Sequence, residues 1–183
     1  MAISDIEPTL CTHIIYSYIG ISPNDELKTN DVWDSSGYDK FNKLREKNPK
    51  VKTLLGIGIS DCEELCEKFS TVTETSEQFS EKLVHFLKQH GFEGLNLIWK
   101  DPAQSDEGIT TTNEKDYLDL LKILRRRFDR EGMLLTAAVA GTPETAKVVY
   151  DVPKISKYFD FIGTGPNSPL SQVVSIGIQI KKP

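Results

Sequence analysis

No stretch of this 183-residue chain approaches the ~18 consecutive apolar residues that a membrane span requires. The opening Met1-Ala2-Ile3-Ser4-Asp5-Ile6-Glu7-Pro8 has neither a basic leader nor an apolar run, so no signal peptide is expected in it. Asn-x-Ser/Thr sequons are absent. Cysteine is scarce, and three is an odd number, which argues against a closed disulfide framework. Cys62 and Cys66 stand four apart on an expected helix, with no histidine or second cysteine pair near them. They read as free thiols, not metal ligands. Positive charge is also short: the formal net charge of -5 gives no reason to seek nucleic acid or an anionic membrane. The basic cluster Arg125-Arg126-Arg127 with Arg130 falls near the end of an expected helix, where it complements the helix dipole. No Gly/Ser-rich linker and no internal repeat divides the chain, so a single domain is expected over residues 1–183.

What the chain has is apolar runs alternating with amphipathic segments. Hydrophobic residues make up 38% of it, enough for a core. His13 to Ile19, Val51 to Ile59, Gly94 to Trp99 and Leu134 to Ala140 are near-continuous apolar runs, the mark of parallel strands covered on both faces. Phe159-Asp160-Phe161-Ile162 is a shorter fifth. Between them, Tyr38, Phe41 and Leu44 recur at helical spacing until Asn48-Pro49 stops them. Thr75-x-x-Gln78 has the form of a capping box before the stripe Phe79, Leu83, Phe86 and Leu87, with Gly91 as C-terminal cap. Asn113 is placed to cap a helix whose inner face is Tyr117, Leu120, Leu121, Leu124 and Phe128. Thr142-Pro143 opens another. Gly163 to Pro169 reads as a loop, and Val173 to Ile180 as one further strand. Strand-helix repetition of this kind predicts right-handed crossovers and a parallel sheet.

Two segments invite a chemical reading. Leu55-Gly56-Ile57-Gly58-Ile59 could open a phosphate-binding turn, but Asp61 stands where a dinucleotide fingerprint needs its third glycine. Close backbone packing inside a strand explains these glycines better. The second segment is Gly91-Phe92-Glu93-Gly94-Leu95-Asn96-Leu97-Ile98-Trp99-Lys100-Asp101-Pro102. It resembles the fourth-strand signature of glycoside hydrolase family 18, the chitinases and chitinase-like proteins, in which Gly-Phe precedes Asp-Gly-x-Asp-x-Asp-Trp-Glu-Tyr-Pro. Other segments resemble the family in the same order. Asp5 to Tyr16 is similar to the approach to its second strand, Tyr38 to Arg45 to the following helix, and Val51 to Ser60 to the third strand. Leu134 to Ala140 and Tyr150 to Ile162 are similar to the fifth strand and the approach to the sixth. The likeness spans about residues 3–162 and leaves 163–183 as a divergent tail.

The resemblance implies an α/β fold, a partial (β/α)8 barrel of five to six parallel strands with outer helices. The first strand and the last two of a full barrel are expected to lie outside these residues. Cys11 is similar to a cysteine that the family pairs with one on that first strand. An incomplete barrel with an open apolar edge is expected to associate.

The departures from the family bear on activity. Its four acids fall on Glu93, Asn96, Ile98 and Lys100, so the catalytic acid becomes Lys100 and the acid that orients the substrate's acetamido group becomes Ile98. The second glycine of the third-strand motif falls on Ile59. The sixth-strand Met-x-Tyr-Asp falls on 165–168, with Gly165, Asn167 and Ser168 in the Met, Tyr and Asp places. Trp99 and Tyr18 match the family. Its hydrolysis uses the sugar's own acetamido oxygen as nucleophile, and the enzyme must donate a proton to the leaving oxygen. Lys100 is a cation and opposes an oxocarbenium-like transition state. The expectation is therefore no catalytic residue and no enzyme activity. The implied partner is chitin or a chito-oligosaccharide held by Trp99 and Tyr18, with no cofactor or metal. By family resemblance the protein is expected outside the cell. Two readings stay open beside this one: a family member with no ligand, and a residual hydrolase using Glu93 or Asp101. Glu93 starts its strand, away from the active end, and Asp101 should project to the opposite side from Lys100.

Overall fold

A computed structural model describes residues 3–21, 27–28, 34–59, 73–99, 111–140, 152–165, 174–175 and 178–180. Five strands run parallel and follow one another in the sheet in chain order: β1 (His13–Ile21), β3 (Lys52–Ile59), β4 (Gly94–Trp99), β5 (Leu134–Ala140) and β6 (Phe161–Gly165). Three short strands are antiparallel additions. β2 (Leu27–Lys28) and β7 (Val174–Ser175) pair with β1, and β8 (Ile178–Ile180) pairs with β6. The helices are α1 (Asp34–Asn42), α2 (Leu44–Lys47), α3 (Thr73–Gln89), α4 (Thr111–Glu131) and α5 (Val152–Ile155). This is the partial (β/α)8 barrel that the motif order implied, with five parallel strands.

The sheet is strongly curled. Strands in a sheet lie ~4.8 Å apart, so β1 and β6, four steps from each other, would be about 19 Å apart if it were flat. Instead the His13 ring on β1 meets the Phe161 ring on β6 edge to face, with centroids 4.7 Å apart. The two side chains touch across the interior.

Alternation along each strand sorts its residues into two faces. Leu55 and Ile57 of β3, Leu95 and Leu97 of β4, and Leu135 and Ala137 of β5 belong to the core that packs on the helices. From the helix side come Tyr38 and Phe41 of α1, Phe79, Leu83 and Leu87 of α3, and Leu120, Leu121, Leu124 and Phe128 of α4, all buried. Tyr16 joins this layer through edge contacts with Tyr38 and Phe41. The opposite residues, such as Leu54, Asn96 and Thr136, turn inward. Gly56 is one of these. A Cβ there would meet Ile98 Cδ1 at 3.0 Å, Ser17 Oγ at 3.1 Å and the Tyr16 carbonyl at 3.2 Å. The glycine is therefore set by close packing of β3 against its neighbours β1 and β4.

Helix ends follow the sequence in part. Asn48 donates its backbone N–H to the Leu44 carbonyl and ends α2. Gly91 has φ 75 just after α3, a conformation that favours glycine. The expected caps at Thr75 and Asn113 are corrected: α3 begins at Thr73 and α4 at Thr111, so both residues lie inside the first turn. Several neighbouring Thr and Ser residues offer the same capping chemistry, and packing of the apolar stripe selects the start. β6 also runs further than expected, because Thr164 and Gly165 pair with Val139 and Ala140 of β5 and so extend the sheet into the glycine-rich segment. The single strand expected at 173–180 is two, each paired with a different partner. Thr142-Pro143, Asp61, Cys62 and Cys66 lie outside the described residues.

The arginine cluster serves contacts between elements. Arg126 pairs with Glu77 and Arg127 with Glu81, tying α4 to α3. Arg125 Nη1 reaches Asp160 Oδ2 at 2.9 Å, and Asp160 Oδ2 also accepts the Leu135 backbone N–H at 2.8 Å.

Candidate functional site

The residues that carried the family resemblance are spread along β4 from one end of the barrel to the other. Glu93 lies just before the strand, at the end opposite the strands' C-termini. Its Oε1 accepts from Lys52 Nζ at 2.7 Å, its Oε2 lies 3.4 Å from Arg45 Nη1, and Oε2 accepts the Thr53 N–H at 3.3 Å. Its backbone bridges β3 and β5, donating to the Thr53 carbonyl and accepting from Leu134 N. Glu93 is thus a clamp at the barrel floor. A carboxylate so engaged, at the wrong end of β4, is not placed to act on a glycosidic bond.

His13 belongs to the same floor. Burial holds its pKa below the usual histidine value, Lys52 pushes in the same direction, and Glu93 and Asp160 oppose both.

One step up β4, Asn96 is 1% exposed. Its Oδ1 accepts from Thr136 Oγ1 at 2.8 Å across the β4–β5 pair, where the two residues are in register. Thr136 Oγ1 also lies 3.1 Å from the Leu95 carbonyl. Among the described residues the Asn96 Nδ2 donor has no hydrogen-bond partner. Sequence reasoning passed over Thr136; the signal was one hydroxyl in the otherwise apolar run Leu134 to Ala140.

Ile98 comes next, half-buried, in register with Gly58 of β3 and Ala138 of β5. Its Cδ1 fills the space over Gly56. By this register Leu54, Gly56, Gly58, Gly94, Asn96, Ile98, Leu134, Thr136 and Ala138 share the inward face of β3, β4 and β5. None of these positions carries a carboxylate, an imidazole or an amine. Trp99 ends β4, in register with Ile59. Tyr18 lies on β1 in the stretch between Tyr16 and Ile19 where the register to β3 shifts. Both backbones therefore stand toward the C-terminal ends of their strands, the end where barrels of this kind carry their sites. Lys100, Asp101, Asn167 and Ser168 lie outside the described residues. Among the described residues no group of three His, Cys, Asp or Glu is placed to hold a metal ion, and no helix is long and apolar enough to cross a membrane.

Comparison with known proteins agrees with this architecture. The family model for glycosyl hydrolases family 18 matches residues 2–170. Chitotriosidase-1 of Mus musculus is 33% identical over 189 residues, covering 91% of this chain and 40% of the mouse protein. The Group IV chitinase of Ostrinia furnacalis, solved in complex with allosamidin, superposes with TM-score 0.78 at 32% identity, covering 90% of this chain and 45% of that one. Human YKL-39, described as a pseudo-chitinase with retained chitooligosaccharide binding properties, superposes with TM-score 0.74 at 27% identity, covering 89% and 45%. The chain thus spans less than half the length of these three proteins. Family model, sequence relatives and curled parallel sheet converge: the chain belongs to glycosyl hydrolase family 18.

Proposed function

We propose that this chain is a catalytically inactive, chitinase-like protein that binds chitin or chito-oligosaccharides, with an extracellular site of action. The observation that carries the reading is the inward column on β4. An amide, Asn96, and an aliphatic side chain, Ile98, stand where the resemblance expects acids. Asn96 keeps a buried donor that no group among the described residues satisfies. A carboxylic acid poised near neutral pH is what protonates a leaving glycosidic oxygen, and losing it alone costs about 10²–10⁴ in rate. Ile98 brings no charge to grip an acetamido group, and the motif's last position is Lys100. Sugar binding asks less of a site. Flat aromatic faces stack on sugar rings, which assigns Trp99 and Tyr18 that role. Human YKL-39 supports the separation of binding from turnover.

Calorimetry with chitin oligomers and hydrolysis of a fluorogenic chitobioside test both halves. Binding is expected, weakened by Trp99→Ala, with no turnover above buffer by wild type, Lys100→Glu, or Lys100→Glu with Ile98→Asp. Turnover by the wild type would overturn the inactive assignment. Absence of any binding would leave a family member without a glycan ligand.

A further inference from the structure

We propose that β7 (Val174–Ser175) and β8 (Ile178–Ile180) form an intramolecular clasp that ties together the two outermost strands of the parallel sheet. β1 and β6 end the parallel run, and each presents an outer edge of backbone donors and acceptors. β7 covers β1, with Tyr16 opposite Val174 and Ile15 opposite Ser175. β8 covers β6, with Thr164 opposite Ile178, Gly163 opposite Gln179 and Ile162 opposite Ile180. Only two residues separate β7 from β8. Consecutive Cα atoms are 3.8 Å apart, so Ser175 and Ile178 stand at most about 11 Å from each other. A segment this short can reach both edges only because the sheet curls, and once paired with both it resists uncurling. The His13–Phe161 contact across the interior is independent evidence that these strands are drawn together.

The segment's chemistry suits the task. From Val174 to Ile180 the sequence alternates strictly: Val, Ser, Ile, Gly, Ile, Gln, Ile. That period of two is the pattern of a strand with one covered face. The clasp removes the liability of two bare edges, which otherwise template pairing with another chain.

Native-state amide exchange of the full chain under increasing urea tests the clasp. The outward-pointing amides within 15–16 and 162–164 should exchange on the order of tenfold or more slower than unpaired edge amides. They should also open together, with one shared urea dependence, because one segment holds both. In Ile178→Pro with Gln179→Pro, one of the two adjacent N–H groups facing β6 is lost whichever register of bonds applies. This variant should speed exchange on both edges and elute as a larger species on sizing columns, while Gln179→Thr behaves as wild type. Unprotected amides at 162–164 in the wild type would overturn the proposal. So would two edges that open independently. Both of these readings come from the wild type and do not depend on how well the proline variant folds.

Discussion

Replacing Asn96 by leucine should cost this protein little or nothing in stability, although the residue is buried and hydrogen-bonded. Leucine has the same branching as asparagine with two methyl groups in place of the amide atoms. The change removes one bond, from Thr136 Oγ1 to Asn96 Oδ1 at 2.8 Å. Such a bond contributes about 0.5–1.5 kcal/mol net. Thr136 keeps an acceptor, the Leu95 carbonyl at 3.1 Å, so no new orphan is created. The change also removes the partnerless Nδ2. An unsatisfied buried donor costs about 1–3 kcal/mol, and that penalty is recovered. The balance runs from about 0.5 kcal/mol against leucine to about 2.5 kcal/mol in its favour. For a chain of this length each kcal/mol moves Tm by about 2–4 °C, so the gain is at most several degrees. Asn96→Asp should behave oppositely. Its carboxylate would accept from Thr136 but be buried with no cation beside it among the described residues, so its folded pKa would lie above the unfolded value. The penalty would be absent below the unfolded pKa and grow as pH rises through the window between the two. Thermal and urea unfolding at pH 5 and pH 7 resolve both cases. A loss of more than about 1 kcal/mol in Asn96→Leu would refute the reasoning, since it would mean the amide is fully satisfied. If the leucine variant is stabilised yet binds chitin oligomers less well, the orphan donor is a stability cost retained for ligand.

Two further perturbations probe the barrel itself. Gly94→Ala places a Cβ 2.4 Å from the Leu134 carbonyl oxygen, against backbone that cannot step aside, whereas Gly132→Ala meets nothing within 4 Å and strains only its φ of 64. Urea midpoints should show a loss of about 3 kcal/mol or more for the first and about 1–2 kcal/mol for the second, and equal losses would refute the crowding argument. For His13, burial depresses the folded pKa, so the stability it contributes is full above the unfolded value near 6.5 and is lost as pH falls from there toward the folded pKa. His13→Gln should remove that part of the pH dependence between pH 7 and pH 5; an unchanged profile would count against it.

Four of the five parallel strands were legible because each is a near-continuous apolar run, the pattern of a strand covered on both faces, whereas β6 was legible only through Phe161 and Ile162. The helical stripes were legible for the same reason: Leu83, Leu87, Leu121 and Phe128 repeat at helical spacing and are fully buried. The helix starts were not, because several adjacent hydroxyl residues compete for one capping role. In the site, the β4 column could be placed by alternation alone, but its partner could not. Thr136 meets Asn96 only through the register of two strands about forty residues apart in sequence, as their bond spans |i−j|=40. The pairing of β7 and β8 was illegible for a related reason. Strands of two and three residues carry little local signal, and their partners are edges whose existence depends on the whole sheet curling first.

The strand order also has a consequence for how the chain folds. Each parallel strand lies beside the next one made, so β1, β3, β4, β5 and β6 can be added one strand-helix unit at a time, each addition closing a modest loop. Such a chain can build structure in the order in which a ribosome delivers it. The pairing of Tyr16 with Val174 breaks that order, because it joins β1 to a strand made only after β6. Contacts so remote in sequence are kinetically slow. Before β7 is made, the Ile15–Tyr16 stretch of β1 lacks its partner among the described residues, while β2 already covers Gly20 and Ile21, and in that interval the bare stretch is exposed to pairing with a neighbour.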